Sequence, residues 1–208
     1  YVHGISPVGA ANLALPGSGN YRVPANIAPT ASFTSPASGA VFGEGTSTLL
    51  AVSATDADDG VESVTFLVNG TARATVAYPY QLPFNGIPEG AHTVQAYARD
   101  TRGATTFAAP ARMIYGSRVI GDIGIANGAI IGWACSTYVS GYLPVLLYLG
   151  GAYGTGVGYG VYYANVPSEA AINNACKASG TSYRFNIPIT DAMVRDIDRD
   201  DQLRRRAA

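Results

Sequence analysis

Apolar and polar residues alternate between positions 29 and 116 with the period of two that is typical of β-strands half buried in a sheet. The clearest case is residues 61–68, where Val64, Phe66 and Val68 share one face. Turn-forming residues separate the apolar segments at short, regular intervals. About seven strands are predicted, at residues 31–36, 47–55, 61–68, 71–76, 79–84, 91–99 and 104–108. This number and spacing are typical of a β-sandwich.

Residues 117–208 have a different pattern. Two short strands are predicted around Asn127-Gly128, a two-residue turn like the earlier Asn69-Gly70, because both positions of such a turn tolerate positive φ. A buried strand is predicted at residues 143–149 and a last strand at 182–189. A short helix is predicted between them, within residues 167–180, and a second follows residue 190. Ser168 is the expected N-cap of the first helix, Gly180 its expected stop, and Thr190 the expected cap of the second.

Residues 1–28 are predicted to be a strand followed by a linker. The strand consists of Tyr1, Val2, His3, Gly4, Ile5 and Ser6. No sheet surrounds it in the sequence, and the domain at 117–208 lacks a final strand after Arg206. We therefore expect this strand to complete a sheet of the 117–208 domain, either by folding back within its own chain or by donation to a neighbour. The expected division is thus 1–28, 29–116 and 117–208.

Composition and charge exclude several classes of function. Charged residues make up 13% of the chain and the net charge is −1, without the basic stripe that nucleic-acid binding requires. No segment approaches the roughly 20 apolar residues of a membrane span. The two histidines, His3 and His92, have no carboxylate near them in sequence, and the glycine-rich segment 154–160 lacks the βαβ context of a phosphate loop. We predict no catalytic residues, no cofactor and no metal.

The two cysteines, Cys135 and Cys176, lack the spacing and neighbouring histidines of a metal site. A disulfide between them fits a secreted protein, and two free buried thiols in a cytosolic protein are the alternative. In the chain-entropy model such a disulfide stabilises a domain by about 4 kcal/mol.

An acidic turn supplies the best cluster of hard oxygen ligands, at Asp56, Asp58, Asp59 and Glu62. Ca²⁺ prefers six to eight oxygens, but the spacing does not match the twelve-residue calcium loop. The sequence favours an acidic turn that ends at Gly60 and leaves calcium open.

The chain has 14 tyrosines, several of them next to glycines. Two interpretations stand: their rings stack on sugars, or they pack between strands or between subunits. We favour the second interpretation. The candidates for an interface are Tyr153, Tyr159, Tyr162 and Tyr163.

Several motifs in the first region form a known pattern: residues 28–30, 35–40, 54–70 and 98–104. They resemble the bacterial immunoglobulin-like domains of secreted and cell-surface proteins, over about residues 29–115. The resemblance implies the sandwich fold and an extracellular setting, and it implies no catalysis. Residues 127–135, 147–151, 168–171 with Cys176, and 183–185 resemble a β-rich domain that follows such modules in secreted bacterial proteins. That domain ends with a strand of the type found here at residues 1–7.

These observations predict an all-β protein, with an immunoglobulin-like β-sandwich and a second, disulfide-stapled β-rich domain with short helices. The leading hypothesis is a structural subunit of an extracellular bacterial filament, sheath or surface layer. Its partners would be copies of itself, joined through the N-terminal strand. The alternative is a carbohydrate-binding accessory region of a secreted polysaccharide-degrading enzyme, with a polysaccharide as partner.

Overall fold

The computed structural model describes residues 24–206, and for residues 199–206 it describes only the backbone. The prediction of an all-β protein is confirmed. The described part of the first domain contains nine strands. They are β1 (Thr30–Ser35), β2 (Ala40–Gly43), β3 (Thr48–Thr55), β4 (Val61–Val68), β5 (Thr71–Val76), β6 (Gln81–Phe84), β7 (Gly90–Asp100), β8 (Thr105–Phe107) and β9 (Arg112–Ser117).

These strands form the two sheets of a sandwich. One sheet has the order β1-β3-β6 and the other the order β2-β9-β7-β4-β5, with β8 beside β7. Their inner faces share one core, in which Leu50, Val64 and Phe66 are fully buried. The prediction that Val64, Phe66 and Val68 of β4 face the core is therefore confirmed. Strands β2 and β9 were not predicted, because β2 has only four residues among turn signals and pairs in parallel with β9, far away in sequence.

Both predicted Asn-Gly turns join antiparallel strands. Asn69 and Gly70 have φ of 52° and 77° between β4 and β5. Asn127 and Gly128 have φ of 52° and 73° between β10 (Val119–Ala126) and β11 (Ala129–Ser136). Positive φ at both central residues matches the right-handed twist of the flanking strands.

The second domain contains a larger and a smaller sheet. Its described elements are β10 (Val119–Ala126), β11 (Ala129–Ser136), β12 (Pro144–Leu149), β13 (Val157–Tyr163), β14 (Val166–Pro167), α1 (Ala170–Cys176), β15 (Ser182–Pro188) and α2 (Asp191–Arg206). The larger sheet has the order β10-β11-β15-β14, and the smaller one pairs β12 with β13. Their common core includes Ile130, Leu147, Phe185 and Ile187.

The helix ends differ from the sequence-based expectation. Helix α1 begins at Ala170 with Glu169 as N-cap, and the Ser168 hydroxyl instead donates to Asn173 Oδ1 at 2.6 Å. The helix ends at Cys176, and its C-cap is Lys177 in the left-handed region (φ 52°), three residues before the predicted stop at Gly180. The prediction that Thr190 caps the N-terminus of α2 is confirmed, because its Oγ1 accepts a hydrogen bond from the N–H of Met193 at 3.4 Å. With 16 residues, α2 is longer than the short helix predicted.

The described chain begins at the end of the sandwich remote from the second domain. Asn26 Nδ2 donates to Asp100 Oδ2 at 2.9 Å, and Asp100 is the last residue of β7. The other end of β7, at Gly90, pairs with Gly116 of β9, which leads into the second domain. At about 3.3 Å per residue, β7 separates these two ends by roughly 33 Å. The predicted strand Tyr1–Ser6 lies outside the described residues.

Candidate functional site

Cys135 of β11 and Cys176 of α1 form the predicted disulfide, with an S–S distance of 2.05 Å. Both are fully buried and form a small core with Ile172 and Tyr183. The disulfide thereby fixes α1 to the larger sheet.

An apolar face on β10 is exposed beside the core of the second domain. Directly opposite residues of antiparallel strands point to the same side of a sheet, and Ile125 lies opposite Ile130. Ile130 is a buried core residue, whereas Ile123 and Ile125 are 62% and 75% exposed. Val119 on the same face is 70% exposed. We call Val119, Ile123 and Ile125 the open face.

The open face results from a mismatch between the two layers of the domain. Four strands form the larger sheet, and the smaller sheet that packs on them has two described strands. Among the described residues, β12 pairs only with β13, so its other side has no strand partner. We call that side the open edge of β12. Its backbone N–H and C=O groups are the kind that recruit a further strand.

The tyrosines proposed for an interface divide into two pairs. Tyr153 and Tyr163 are exposed, at 80% and 54%. Tyr159 and Tyr162 pack against the core of the second domain. The Tyr159 hydroxyl contacts Asp196 of α2, and the Tyr162 hydroxyl donates to the Tyr159 carbonyl at 3.3 Å. Tyr159 and Tyr162 thus pack between elements of one chain.

A cleft of about 480 Å³ lies where the two domains meet. The Tyr115 ring of β9 stacks on the Tyr138 ring of the second domain, with centroids 4.9 Å apart. Lys177 Nζ lies 5.3 Å from the Tyr138 ring and donates to Glu89 Oε1 of the first domain at 3.0 Å. This hydrogen bond raises the pKa of Lys177 and lowers the pKa of Glu89. Residues of both domains line the cleft, among them Val41, Tyr115, Tyr138, Ser140, Lys177 and Ser179.

Sequence reasoning missed this cleft, since its residues come from four distant segments. The one available signal was that Lys177 is the sole lysine of the chain.

The acidic turn between β3 and β4 is held by its own hydrogen bonds. Asp56 Oδ1 accepts from the N–H groups of Asp58 and Asp59, both at 3.0 Å, and from that of Gly60 at 3.3 Å. Hydrogen bonds from the backbone lower the pKa of Asp56, and the bond from the N–H of Asp59 has the largest effect. Arg102 forms ion pairs with Asp58 and Asp59 across the turn. Glu62 lies apart and pairs with Arg99 at 3.4 Å.

Three carboxyl groups come close together in this turn. Oxygens of Asp56, Asp59 and Asp100 lie within 4.8 Å of one another. Burial raises the pKa of Asp59, and the nearby carboxyls of Asp56 and Asp100 contribute to the shift. Asp100 is buried and already accepts hydrogen bonds from Asn26 and from two backbone N–H groups. These contacts hold the turn, although Oδ2 of Asp56 is buried with no hydrogen-bond partner in the described part of the chain, and no metal is assigned to it.

His92 lies at the edge of the sandwich core, 8% exposed. Its Nε2 is 3.0 Å from the Pro88 carbonyl and its Nδ1 is 3.2 Å from Asn69 Nδ2. His3 lies outside the described residues. Within residues 24–206, no helix is long and apolar enough to cross a membrane.

Comparison with known proteins assigns the first domain. Residues 29–96 match the family model of the bacterial Ig domain, so this domain is a bacterial Ig domain. The fibronectin(III)-like modules of CbhA from Clostridium thermocellum align with 20% identity and a TM-score of 0.39, covering 42% of this chain and 94% of theirs. An engineered protein aligns with 25% identity and a TM-score of 0.33, covering 45% of this chain and 21% of its own length. No curated protein matches the chain.

Proposed function

We propose that this chain is a structural part of an extracellular bacterial filament, sheath or surface layer, and that its copies join by β-strand complementation. The chain has no catalytic role in this proposal. The observation that carries the proposal is the open face of β10, which continues the core of the second domain but is exposed.

The open face supports an interface because exposure of large aliphatic side chains beside a core is unfavourable. Removing one such side chain from water is worth roughly 1.5–3 kcal/mol. Proteins normally blunt exposed apolar strands with charges or cover them. Val119, Ile123 and Ile125 have no such cover among the described residues, and Asp122 is the only charge on β10.

The position of the first described residues favours donation to a neighbour. Arg102 Nη1 donates to the Pro24 carbonyl at 3.5 Å, and the Asn26 amide donates to Asp100, so residues 24–26 lie at the end of the sandwich remote from the second domain. A neighbour stacked head to tail would place its second domain beside this end. Head-to-tail contacts that do not close generate open fibres.

The extracellular setting has two supports. A disulfide persists in oxidising compartments and is rare in the cytosol, and Cys135 is joined to Cys176. The first domain is a bacterial Ig domain, and a domain of this kind fits a secreted or cell-surface protein.

The test compares assembly of the full chain with that of two charged variants. The wild type should form concentration-dependent oligomers in sedimentation velocity and fibres or sheets in negative-stain micrographs. Ile123→Asp should remain monomeric, whereas the matched control Tyr78→Asp, at an 83% exposed site on the first domain, should assemble normally. A wild type that stays monomeric at all concentrations, or an Ile123→Asp variant that assembles equally well, would overturn the proposal.

The cleft between the domains favours a second candidate, a polysaccharide-binding accessory region of a secreted enzyme. Its volume of about 480 Å³ suits a sugar unit, and Tyr115, Tyr138 and Ser140 offer aromatic and hydroxyl contacts. Retention on insoluble cellulose, chitin or xylan, lost in Tyr138→Ala and kept in Tyr78→Ala, would support it. Equal retention of the wild type and Tyr138→Ala, or no retention of either, would exclude the cleft.

A further inference from the structure

We infer that the strand Tyr1–Ser6 of a neighbouring copy enters the second domain as a third strand of the smaller sheet, hydrogen-bonded to the open edge of β12 and lying over the open face of β10. This inference rests on the proposed function and specifies its acceptor site. The competing arrangement is a strand added beside β10 in the plane of the larger sheet.

The order of the strands places the position beyond β12 on the β10 side of the smaller sheet; none of the described strands occupies it, and α2 also contacts β12. Strand β13 contacts β15 and leads through Ala164 and Asn165 into β14, so β13 lies on the β14 side of the domain. In β12, Leu147 shares the core with Ile130 of β11. The larger sheet continues from β11 to β10. Strands within a sheet are about 4.8 Å apart, so the next strand beyond β12 would lie over β10.

One added strand in this position satisfies two separate features. Its backbone would pair with the unpaired N–H and C=O groups of β12. Its inner face would cover Ile123 and Ile125, which are exposed although they extend the core face of Ile130. A strand beside β10 in the larger sheet would leave the open edge of β12 unpaired and the open face without an opposing layer.

The side chains of β12 match a strand with an aliphatic residue on each face. Val145, Leu147 and Leu149 point to the core, and Leu146 on the opposite face is 47% exposed. A strand that flanks β12 therefore meets apolar neighbours on both sides. In Tyr1–Ser6, Val2 and Ile5 fall on opposite faces, because successive side chains alternate.

The surface around this position is also almost free of charge. Within the described residues, neither β10 nor β12 has a charged side chain other than Asp122, which lies on the face opposite to Ile123.

Amide hydrogen exchange on the full chain tests the position of the strand. The wild type is compared with Ile5→Asp, a change outside the described domains that should block insertion. The expected result is exchange slower by on the order of tenfold at residues 144–149 in the wild type, with little change in the backbone of residues 119–126. In parallel, labelling of Ile123→Cys by a soluble thiol reagent should slow on assembly, and labelling of the control Tyr78→Cys should not.

The outcomes separate this inference from the proposed function. Protection of residues 119–126 in place of 144–149 would overturn the β12 position and leave strand complementation standing. Oligomers without protection of either strand would overturn both the position and the role of Tyr1–Ser6. Protection of residues 144–149 in a chain that sediments as a monomer would support the β12 position. It would mean that the strand comes from the same chain, and it would overturn donation between copies.

Discussion

The core of the first domain depends on single large side chains, of which Phe66 is the clearest. It is fully buried and its ring lies 6.5 Å from that of Phe33 in the opposite sheet. Phe66→Ala should lower the free energy of unfolding by about 3–5 kcal/mol, because it removes the ring and leaves a cavity between the sheets. Urea denaturation measures this loss. The control is Phe107→Ala at a 57% exposed site, where we expect less than about 1 kcal/mol. Equal losses would contradict this account of the core.

The ion pair between Glu169 and Arg184 makes stability depend on pH at a single residue. Arg184 Nε donates to Glu169 Oε2 at 2.7 Å, and this bond lowers the pKa of Glu169 from 4.5 to about 2. Because the folded pKa is the lower one, the pair contributes its full stability above about pH 4.5 and loses it as the pH falls toward about 2.

We therefore expect the melting temperature of the wild type to fall more steeply between pH 4.5 and pH 2 than that of Glu169→Gln. Arg184→Gln should flatten the profile in the same way, because it removes the cause of the shift. Thermal melts monitored by circular dichroism across this range provide the measurement. Parallel profiles for all three proteins would show that the pair does not act on stability.

At the scale of elements, close packing of the larger sheet of the second domain requires a glycine in β11. A Cβ at Gly132 would lie 2.2 Å from the Asp122 carbonyl oxygen and 2.5 Å from the Phe185 ring. Gly132→Ala should destabilise the domain by about 1–3 kcal/mol through overpacking. The matched control is Gly124→Ala in the adjacent strand, where an added Cβ meets nothing within 4 Å. Denaturant melts of both variants compare the two sites, and a Gly132→Ala variant as stable as Gly124→Ala would refute the packing argument.

Elements that depend on local pattern could be predicted from the sequence, and those that depend on distant partners could not. The alternation around Phe66 and the two Asn-Gly turns are local signals, and they gave the correct strands and hairpins. Strand β2 was missed because its pairing with β9 spans most of the first domain. The end of α1 was misplaced because Lys177 adopts the left-handed conformation usually taken by glycine.

The candidate sites divide in the same way. The disulfide followed from the presence of two cysteines in a small β-rich domain. The open face of β10 could not be predicted from the sequence, because the exposure of Val119, Ile123 and Ile125 depends on which strands the opposite sheet contains. The stack of Tyr115 on Tyr138 joins the two domains, and no local pattern in the sequence encodes such a contact.

At the scale of the whole molecule, the two domains are joined with almost no linker. Strand β9 ends at Ser117 and β10 begins at Val119, so one residue separates them. The contacts across the junction rest on the disulfide-held end of α1. The N–H of Tyr138 donates to the Cys176 carbonyl at 2.9 Å, and the next residue, Lys177, pairs with Glu89 of the first domain. The junction should therefore transmit stability between the domains.

A double-mutant cycle on Tyr115 and Tyr138 tests whether the junction couples the domains energetically. Stacked aromatic pairs contribute about 0.5–1.5 kcal/mol beyond the area that they bury. Tyr115→Ala and Tyr138→Ala should each destabilise the protein, and the double variant should lose less than the sum by about that amount. The control cycle pairs Tyr115→Ala with Tyr153→Ala, at an 80% exposed site in the second domain, and its effects should add because the two residues share no contact. If the Tyr115–Tyr138 cycle is also additive, the stack contributes nothing to the junction. The domains would then be held by the short connection, the hydrogen bond between the Ser117 and Ser136 hydroxyls at 2.6 Å and the Glu89–Lys177 pair, and a surface ion pair of this kind is worth at most about 1 kcal/mol.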